Sequence, residues 1–494
     1  MKKIFCFLLV FAMLFQFSCC ASDDEPEFIE GDAFLEETSE ESSSVKIEIS
    51  QITEETSSVP ELSESSSEET SSESNAETSL PSSSSSKAES SSSSSSSAVS
   101  SESSVSSSQS SSESSSSEQE TVPENTYAPS GETRAVWISY LEYQSILQGK
   151  TEKQFRNNIK TMFSNLYSDG FNTVFVHVRS HSDAMYDSDI FPWSVYCTGT
   201  EGKNPGFDPL EIMVSEAHSA GLKIEAWINP YRIKGTSDTS KISKSSPAYS
   251  WLDSGKVIVL NNGIVYNPAD EEVIELIVSG VEEIVSNYDV DGIHFDDYFY
   301  PTTAESFDKE YYNDYKSNGG KLGLAAWRRE NVNILIREVY SAIKAIDSSC
   351  RFGISPTGNM ENNYGSLYCD VYTWVTSEKY VDYICPQLYY GFNNRDCPYL
   401  DVLSEFNDMI TRNNIELIVG LAAYKAGAED TYAGADGKQE WITYNDILSR
   451  QVIAARNENR YSGFALYRYD SFYNPASGVK NAVKAERENL LEII

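Results

Sequence analysis

The chain has 494 residues, and its 75 aspartates and glutamates against 37 lysines and arginines give a formal net charge of −38 at pH 7. Residues 21–124 alone contribute −23 of this, because they hold 25 acidic residues and two lysines. The charge of about −15 that remains for the rest of the chain argues against nucleic acid as a partner.

The first 20 residues predict an export signal. Two lysines precede an apolar run from Ile4 to Phe17 that is too short and too close to the N-terminus for a membrane-spanning helix. A small residue, Ser18, then precedes Cys19, and this order is typical of a bacterial lipoprotein signal. We expect acylated Cys19 to anchor the protein at the extracellular face of a bacterial cell membrane. An ordinary cleaved signal, which would give a secreted form, is the alternative.

Residues 21–129 predict a disordered linker. This segment consists mostly of serine, glutamate and threonine, with hardly an aromatic residue. Such a composition cannot bury enough apolar surface to offset the entropy of ordering, and like charges keep the chain extended. We expect it to act as a spacer that carries a folded domain away from the membrane.

Residues 130–494 predict one α/β domain, a (β/α)8 TIM barrel with a long insertion after strand 3. Strand-like runs alternate with amphipathic helical stretches, as in parallel βα units. The predicted strands are 134–140, 173–180, 223–229, 292–297, 351–355, 383–389, 416–422 and 463–469. Helices are predicted, for example, at 151–168, 209–220, 271–287, 327–345, 400–412, 444–458 and 476–491. A doubly wound open sheet is the alternative fold.

The ends of the predicted strands carry polar and aromatic side chains. Barrel enzymes place their chemistry at the C-terminal ends of their strands, and the alternation along each strand tells which side chains face the lumen. Aromatic rings can stack on a sugar ring while amides and carboxylates bind its hydroxyl groups. The residues that we assign to substrate binding are Arg179, His181, Asp183, Asn229, Tyr231, Trp251, His294, Tyr298, Gln387 and Tyr389. Individual polar groups among them could instead be satisfied parts of the barrel core.

The candidate catalytic residues are acidic. If a bound sugar polymer is also cut, two carboxyl groups are ordinarily needed, one that donates a proton and one that acts as nucleophile or base. Asp296 ends strand 4 on the lumen side and is assigned as nucleophile or base. Asp297 is the first choice for the acid, although alternation starts its side chain toward the opposite face. Glu225 faces the lumen but lies early on strand 3, and Asp183 and Asp370 are further candidates on loops.

The connection over residues 232–270 is far longer than a usual βα loop, and such length at the active face of a barrel often serves function. We expect a hairpin in which 256–260 pairs with 263–266 across Asn261 and Asn262. Trp251 is predicted to offer a stacking platform for a sugar ring. Equally, it could anchor the insertion onto the barrel.

Six motifs occur along the domain in a fixed order: Arg134-Ala-Val-Trp137, Val176-His-Val-Arg179, Ala226-Trp-Ile-Asn-Pro230, Asp291-Gly-Ile-His-Phe-Asp-Asp-Tyr-Phe-Tyr-Pro301, Gly353-Ile-Ser-Pro356 and Asp382-Tyr-Ile-Cys-Pro-Gln-Leu-Tyr389. Together they resemble the glycosyl hydrolase-like 10 family of bacterial surface proteins over about residues 131–470. The resemblance implies a (β/α)8 fold and glycoside hydrolysis, with peptidoglycan glycan strands as a substrate for some members.

The spacing Gly292-x-His294-x-Asp296 is also similar to the strand-4 nucleophile motif of the alpha-amylase clan, which has Arg where this chain has His294. Tyr298 stands where chitinase-like barrels carry their acidic Glu. These two departures leave the acid/base assignment open.

Two other classes of function remain open. A surface lectin would keep the aromatic and amide groups and bind a polysaccharide without cutting it. A metal-dependent hydrolase would use His177, His181 or His294 together with Asp296 as ligands. The five cysteines of the domain show no CxxC spacing, so no zinc site is expected, and no cofactor is predicted.

Overall fold

The computed structural model describes residues 128–494. The predicted signal peptide, Cys19 and nearly all of the predicted linker lie outside the described residues, so those assignments stay predictions. No helix within the described part of the chain has the length and apolar composition that a membrane span requires.

Eight parallel strands close into a barrel. The strands of residues 128–494 are β1 (Thr133–Ile138), β2 (Thr173–Arg179), β3 (Lys223–Ile228), β4 (Arg232–Lys234), β5 (Val257–Val259), β6 (Ile264–Tyr266), β7 (Gly292–Phe295), β8 (Arg351–Ile354), β9 (Tyr383–Ile384), β10 (Glu416–Ala422) and β11 (Tyr461–Tyr467). The barrel order is β1-β2-β3-β7-β8-β9-β10-β11, and β11 pairs with β1. The predicted (β/α)8 barrel is therefore confirmed, and the open sheet is excluded.

Helices surround the barrel and line its loops. They are α1 (Tyr140–Ile146), α2 (Glu152–Ser168), α3 (Val195–Thr198), α4 (Pro209–Ala220), α5 (Pro247–Ser250), α6 (Glu271–Asn287), α7 (Lys309–Ser317), α8 (Leu324–Ile346), α9 (Met360–Gly365), α10 (Val371–Thr376), α11 (Tyr399–Met409), α12 (Gly434–Gly437), α13 (Glu440–Thr443), α14 (Ile447–Ala455), α15 (Tyr469–Tyr473) and α16 (Lys480–Leu491).

Local signals explain where several of these elements begin and end. Asp208 caps α4 through the backbone N–H groups of its first turn, a proline opens the helix, and Gly221 ends it in the left-handed conformation at φ 83°. Ser139 forms a capping box with Glu142 at the start of α1. This cap is the reason that β1 ends at Ile138 instead of reaching residue 140 as predicted.

Alternation along the strands divides the buried side chains into two sets. Val174 and Val176 of β2 point outward and join the large core between the barrel and its helices. A smaller cluster fills the lumen and consists of Ala135, Trp137, Phe175, Trp227, Tyr383, Cys385, Ile418 and Ala465, with Tyr467 packed against it. Gly353 makes room in the lumen, because a Cβ there would lie 2.0 Å from the Tyr383 ring.

The insertion after β3 forms a three-stranded antiparallel sheet of its own, in the order β4-β6-β5. Strands β5 and β6 pair with Val257 opposite Tyr266, and Leu260 donates its backbone N–H to Gly263. The hairpin predicted across Asn261 and Asn262 is therefore confirmed, and β4 adds a third strand that the sequence pattern did not indicate.

Candidate active site

Asp296 follows directly after β7, and three donors surround its buried carboxylate. The indole Nε1 of Trp227 donates to Oδ2 at 3.1 Å, and the side-chain amide of Asn229 donates to the same oxygen. The backbone N–H of Tyr298 donates to Oδ1 at 3.2 Å. Two of these donors come from β3 and the residue after it, so Asp296 leans toward that neighbouring strand.

Asp297 takes the opposite direction. Its carboxyl group is buried and accepts a hydrogen bond from Gln387, which follows β9, although the residue as a whole is partly exposed. The backbone after β7 thus turns the Asp297 side chain back toward the lumen, although strict alternation would have sent it outward. The two carboxyl groups lie at one strand end but have different neighbours.

Burial and mutual repulsion shift the ionisation of this pair. Burial and the neighbouring Asp297 carboxylate raise the pKa of Asp296, while its Tyr298 and Trp227 donors and the Arg232 guanidinium oppose the shift. Burial also raises the pKa of Asp297 to about 6, against the stabilising bond from Gln387. Asp296 has three hydrogen-bond donors and the Arg232 guanidinium around it, whereas Gln387 is the side-chain donor to Asp297, so the two carboxyl groups occupy different environments.

His294 lies below the acid pair and does not reach the open part of the lumen. The Trp137 indole donates to its Nε2 at 3.1 Å, and its Nδ1 lies 2.7 Å from the Tyr383 hydroxyl. Because indole N–H can only donate, Nε2 is the acceptor and the proton resides on Nδ1. Burial lowers the pKa of His294 to about 3, so the ring is neutral. Both nitrogens of His294 are engaged inside the barrel, so the structure does not place this ring among the groups that face the open lumen, and its assignment to substrate binding stays a prediction.

Glu225 lies deeper still. Its carboxylate accepts a 2.5 Å hydrogen bond from the Tyr383 hydroxyl and lies 3.9 Å from the Arg351 guanidinium. Glu225 precedes Trp227 by two residues on β3, so it lies about 7 Å further toward the N-terminal end of the barrel. Burial raises its pKa to about 7. The structure does not bring Glu225 to the acid pair; it places this predicted catalytic residue in the barrel core.

Two predicted substrate contacts point away from the lumen. A β-bulge shifts the register of β2 against β3 between His177 and Arg179. Arg179 therefore turns outward, where its guanidinium lies 4.3 Å from the centre of the Phe191 ring. A Cβ on Gly280 of α6 would lie 2.1 Å from this guanidinium, so the glycine makes room for it.

Tyr231 also belongs to the outer core, where its ring packs edge-on against Phe299 at 6.3 Å. The next residue, Arg232, lies beside the site instead, 5.2 Å from the Tyr298 ring and 5.7 Å from the Tyr140 ring. Arg232 is the first residue of β4. Because the in-and-out alternation of the barrel strand ends at Pro230, the sequence pattern does not predict whether Tyr231 or Arg232 faces the site.

Asp183 is fully buried at the margin of the site. The groups around it are Ser194, Lys234 and Glu201, and burial raises its pKa to about 6. None of these neighbours contacts Asp296, so Asp183 is set apart from the acid pair. His181 is also buried, with Nδ1 3.0 Å from the Ser180 hydroxyl and its ring 5.6 Å from the Tyr140 ring, measured between ring centres.

Tyrosines form one wall of the mouth. Tyr389 lies 5.7 Å from Tyr467 and 5.9 Å from Tyr424, measured between ring centres. Tyr467 in turn lies 6.0 Å from Trp137. Our substrate-binding assignment included Tyr389 but missed Tyr424 and Tyr467, whose positions at the ends of the last two barrel strands are the signal that could have identified them.

Trp251 packs within the insertion. Its ring meets Tyr266 of β6 edge-on at 6.0 Å, and the Lys256 ammonium lies 4.9 Å above it. These contacts favour the anchoring role that the sequence left open beside the stacking role.

The donor chemistry of the lumen does not favour a metal site. Both nitrogens of His177 and of His294 have hydrogen-bond partners. Within residues 128–494, no group of three or more His, Cys, Asp or Glu side chains is arranged to hold a metal ion. The five cysteines of this part of the chain are free thiols.

Comparison with known proteins agrees with this architecture. The model of the family described as "Glycosyl hydrolase-like 10" matches residues 132–434. Glycosyl hydrolase YngK of Bacillus subtilis is 35% identical over 317 residues, which cover 60% of this chain and 61% of that protein. Glycosyl hydrolase DigH of Escherichia coli is 33% identical over 332 residues, which cover 62% of this chain and 74% of that protein.

Proposed function

The chain belongs to the glycosyl hydrolase-like 10 family, and we propose that it is a cell-surface glycoside hydrolase that cuts the glycan strands of peptidoglycan. The matched segment contains β7 and both acids that follow it. Glycosidase chemistry is consistent with the family and with the site, whereas the particular glycan and the cellular location are our proposal.

The observation that carries the proposal is the unequal acid pair at the end of β7. Asp296 is fixed by three donors, which suits a carboxylate that acts as nucleophile or as base toward water. Asp297 is partly exposed, and burial raises its pKa to about 6, which suits a group that protonates the leaving glycosidic oxygen. Two carboxyl groups with different environments are what acid/base hydrolysis of a glycoside requires.

The wall of the mouth supports a sugar polymer as the substrate. Tyr389, Tyr424 and Tyr467 present aromatic surface within one cluster, and aromatic faces stack on the C–H face of a sugar ring. The Arg232 guanidinium adds hydrogen-bond donors beside the acids. The proposed location at a bacterial cell surface would bring the enzyme to peptidoglycan, and this is why we propose its glycan strands as the substrate.

Incubation of the protein with purified peptidoglycan glycan and with a panel of other polysaccharides tests this proposal. We expect shorter oligosaccharides from the peptidoglycan glycan, identified by mass spectrometry. Cleavage of another polysaccharide alone would replace the proposed substrate. Binding without any product, unchanged in Asp296→Asn, would identify a lectin instead.

Lipid anchoring at Cys19 is a separate part of the proposal and rests on the sequence of the first 20 residues. We expect the wild-type protein to sediment with membranes and Cys19→Ala to be released or to remain unprocessed. Cys20→Ala is the matched control, because it changes the neighbouring thiol and leaves the lipidation position intact. Wild-type protein found wholly in the medium would contradict the anchor.

A further inference from the structure

A chain of hydrogen bonds runs from the backbone of α1 to Asp296. The backbone N–H of Tyr140 donates to Nδ1 of His177 at 3.4 Å. Nε2 of His177 lies 2.5 Å from Oδ1 of Asn229, and Nδ2 of Asn229 donates to Oδ2 of Asp296. The chain joins a helix start, two barrel strand ends and the candidate nucleophile.

The backbone N–H of Tyr140 determines which atom is donor and which is acceptor in each of these hydrogen bonds. A backbone N–H can only donate, so Nδ1 of His177 is an acceptor and carries no proton. Burial lowers the pKa of His177 well below 6.5, so the ring is neutral and its single proton is on Nε2. That N–H donates to the carbonyl oxygen of the Asn229 side chain, which leaves the NH2 group of the amide facing Asp296.

A reversed amide at Asn229 would be unfavourable at both ends. Its oxygen would then face Oδ2 of Asp296, and its NH2 group would face the N–H of His177. Each contact would place like partial charges together in a buried site, where such contacts are costly. A second contact holds the imidazole in place, because the His177 ring stacks on Trp227 with 3.5 Å between ring centres.

From this geometry we propose that His177 is a positioning residue, which holds the Asn229 amide with its NH2 group toward Asp296 and so keeps the Asp296 carboxylate ready for reaction. The proposal rests on the proposed function in one respect only, namely the use of Asp296 in hydrolysis. His177 itself does not touch the substrate. Its neighbour Trp227 donates to the same carboxylate oxygen, so the histidine supports two of the three donors.

Two substitutions separate the N–H group from the packing of the ring. His177→Phe keeps a flat ring that can stack on Trp227 but has no donor for Asn229. His177→Gln loses the ring but places an amide N–H where Nε2 of the histidine lies. If positioning is the role, the glutamine variant retains more function than the phenylalanine variant, whereas a role in packing alone predicts the reverse.

The first measurement is turnover of the full-length protein on the glycan that it cuts. We expect kcat of His177→Phe to fall about 10- to 100-fold, with KM nearly unchanged. Losses of this size are typical when a residue that only orients a functional side chain is removed, as has been seen for the residues that orient metal ligands. His177→Gln should recover most of the loss. The proposal would be overturned if His177→Phe had the wild-type kcat. It would also be overturned if kcat fell equally in both variants and in proportion to the fall in their melting temperatures.

The second measurement needs no turnover. Carbon-13 NMR of the Asp296 carboxyl group is recorded against pH in full-length protein carrying Asp297→Asn, which removes the coupled titration of the pair. Arg232 and Cys369 are the other titratable groups that face Asp296. His177→Phe should raise the pKa of Asp296 by about one unit, a tenfold shift in its ionisation, and His177→Gln should raise it less. An unchanged titration would overturn the positioning role, while absence of turnover in wild-type protein would overturn only the proposed function.

Discussion

The Asn229 side-chain amide donates a hydrogen bond to Oδ2 of Asp296, so an asparagine at the end of β3 holds the acid at the end of β7. The neighbouring acid, Asp297, has its own amide donor in Gln387 on the other side of the lumen. The two carboxyl groups of one strand end are therefore drawn apart and held in different environments. This asymmetry gives each acid a separate role in the proposed hydrolysis.

Asp297→Asn should lower kcat/KM on the natural glycan by about 10²- to 10⁴-fold, because it removes the proton donor. Burial raises the pKa of Asp297 to about 6, and the acid works only when protonated, so wild-type activity should fall as pH rises through this value. In the variant, activity should not show this fall as pH rises. Aryl glycosides, whose leaving groups need little protonation, should lose much less activity. An equal loss on natural and aryl substrates would contradict the acid role.

Glu225→Gln tests the assignment of Glu225 to the barrel core. Burial raises its pKa in the folded protein from 4.5 to about 7, so the folded state binds this proton more tightly than the unfolded state. Its contribution to stability is therefore fully present below about pH 4.5 and is lost as pH rises through 7, by about 3 kcal/mol. The variant should lose less stability than wild type between pH 5 and pH 8 in urea titrations. If the variant and the wild-type protein lost the same free energy of unfolding between pH 5 and pH 8, a raised pKa of Glu225 would be contradicted.

Trp251→Ala should act mainly on stability, because the ring packs on Tyr266 and Lys256 of the insertion. We expect a lower melting temperature and an equal loss of affinity for short and long oligosaccharides. Tyr389→Ala is the informative comparison, since this ring lies in the aromatic wall, and its loss should weaken sugar binding by about 1 kcal/mol. If Trp251→Ala weakened the binding of long oligosaccharides, but not of short ones, by about 1–3 kcal/mol, Trp251 would instead stack on a sugar ring.

Much of the fold follows from regular patterns in the sequence. Helices α4 and α6 and strand β10 have the predicted bounds, because caps, proline and an uninterrupted apolar period all point to the same ends. Strand β9 is regular only over Tyr383–Ile384, against a prediction that extended to Tyr389. Pro386 has no backbone N–H for the ladder, and two isolated bridges, from Gln387 to Thr357 and to Gly420, continue the pairing.

The site could be predicted where alternation holds and not where the backbone departs from it. Asp296 was located correctly because β7 alternates without interruption up to its end. The bulge in β2 reversed the expected direction of Arg179, and no pattern of residue types announces that bulge. Hydrogen-bond partners are also invisible in sequence, which is why His294 and Asn229 could be placed in the lumen but not assigned to the groups that they hold.

Turnover of Asp296→Asn on the glycan that the wild-type protein cuts is the most direct test of the account. Asp289→Asn is the matched control, since it makes the same change in the same segment at an aspartate whose side chain is 95% exposed. We predict that Asp296→Asn loses hydrolysis, keeps its melting temperature and binds glycan nearly as wild type does, while the control cuts at the wild-type rate. Near-wild-type turnover by Asp296→Asn would contradict the role of Asp296 and with it the proposed mechanism.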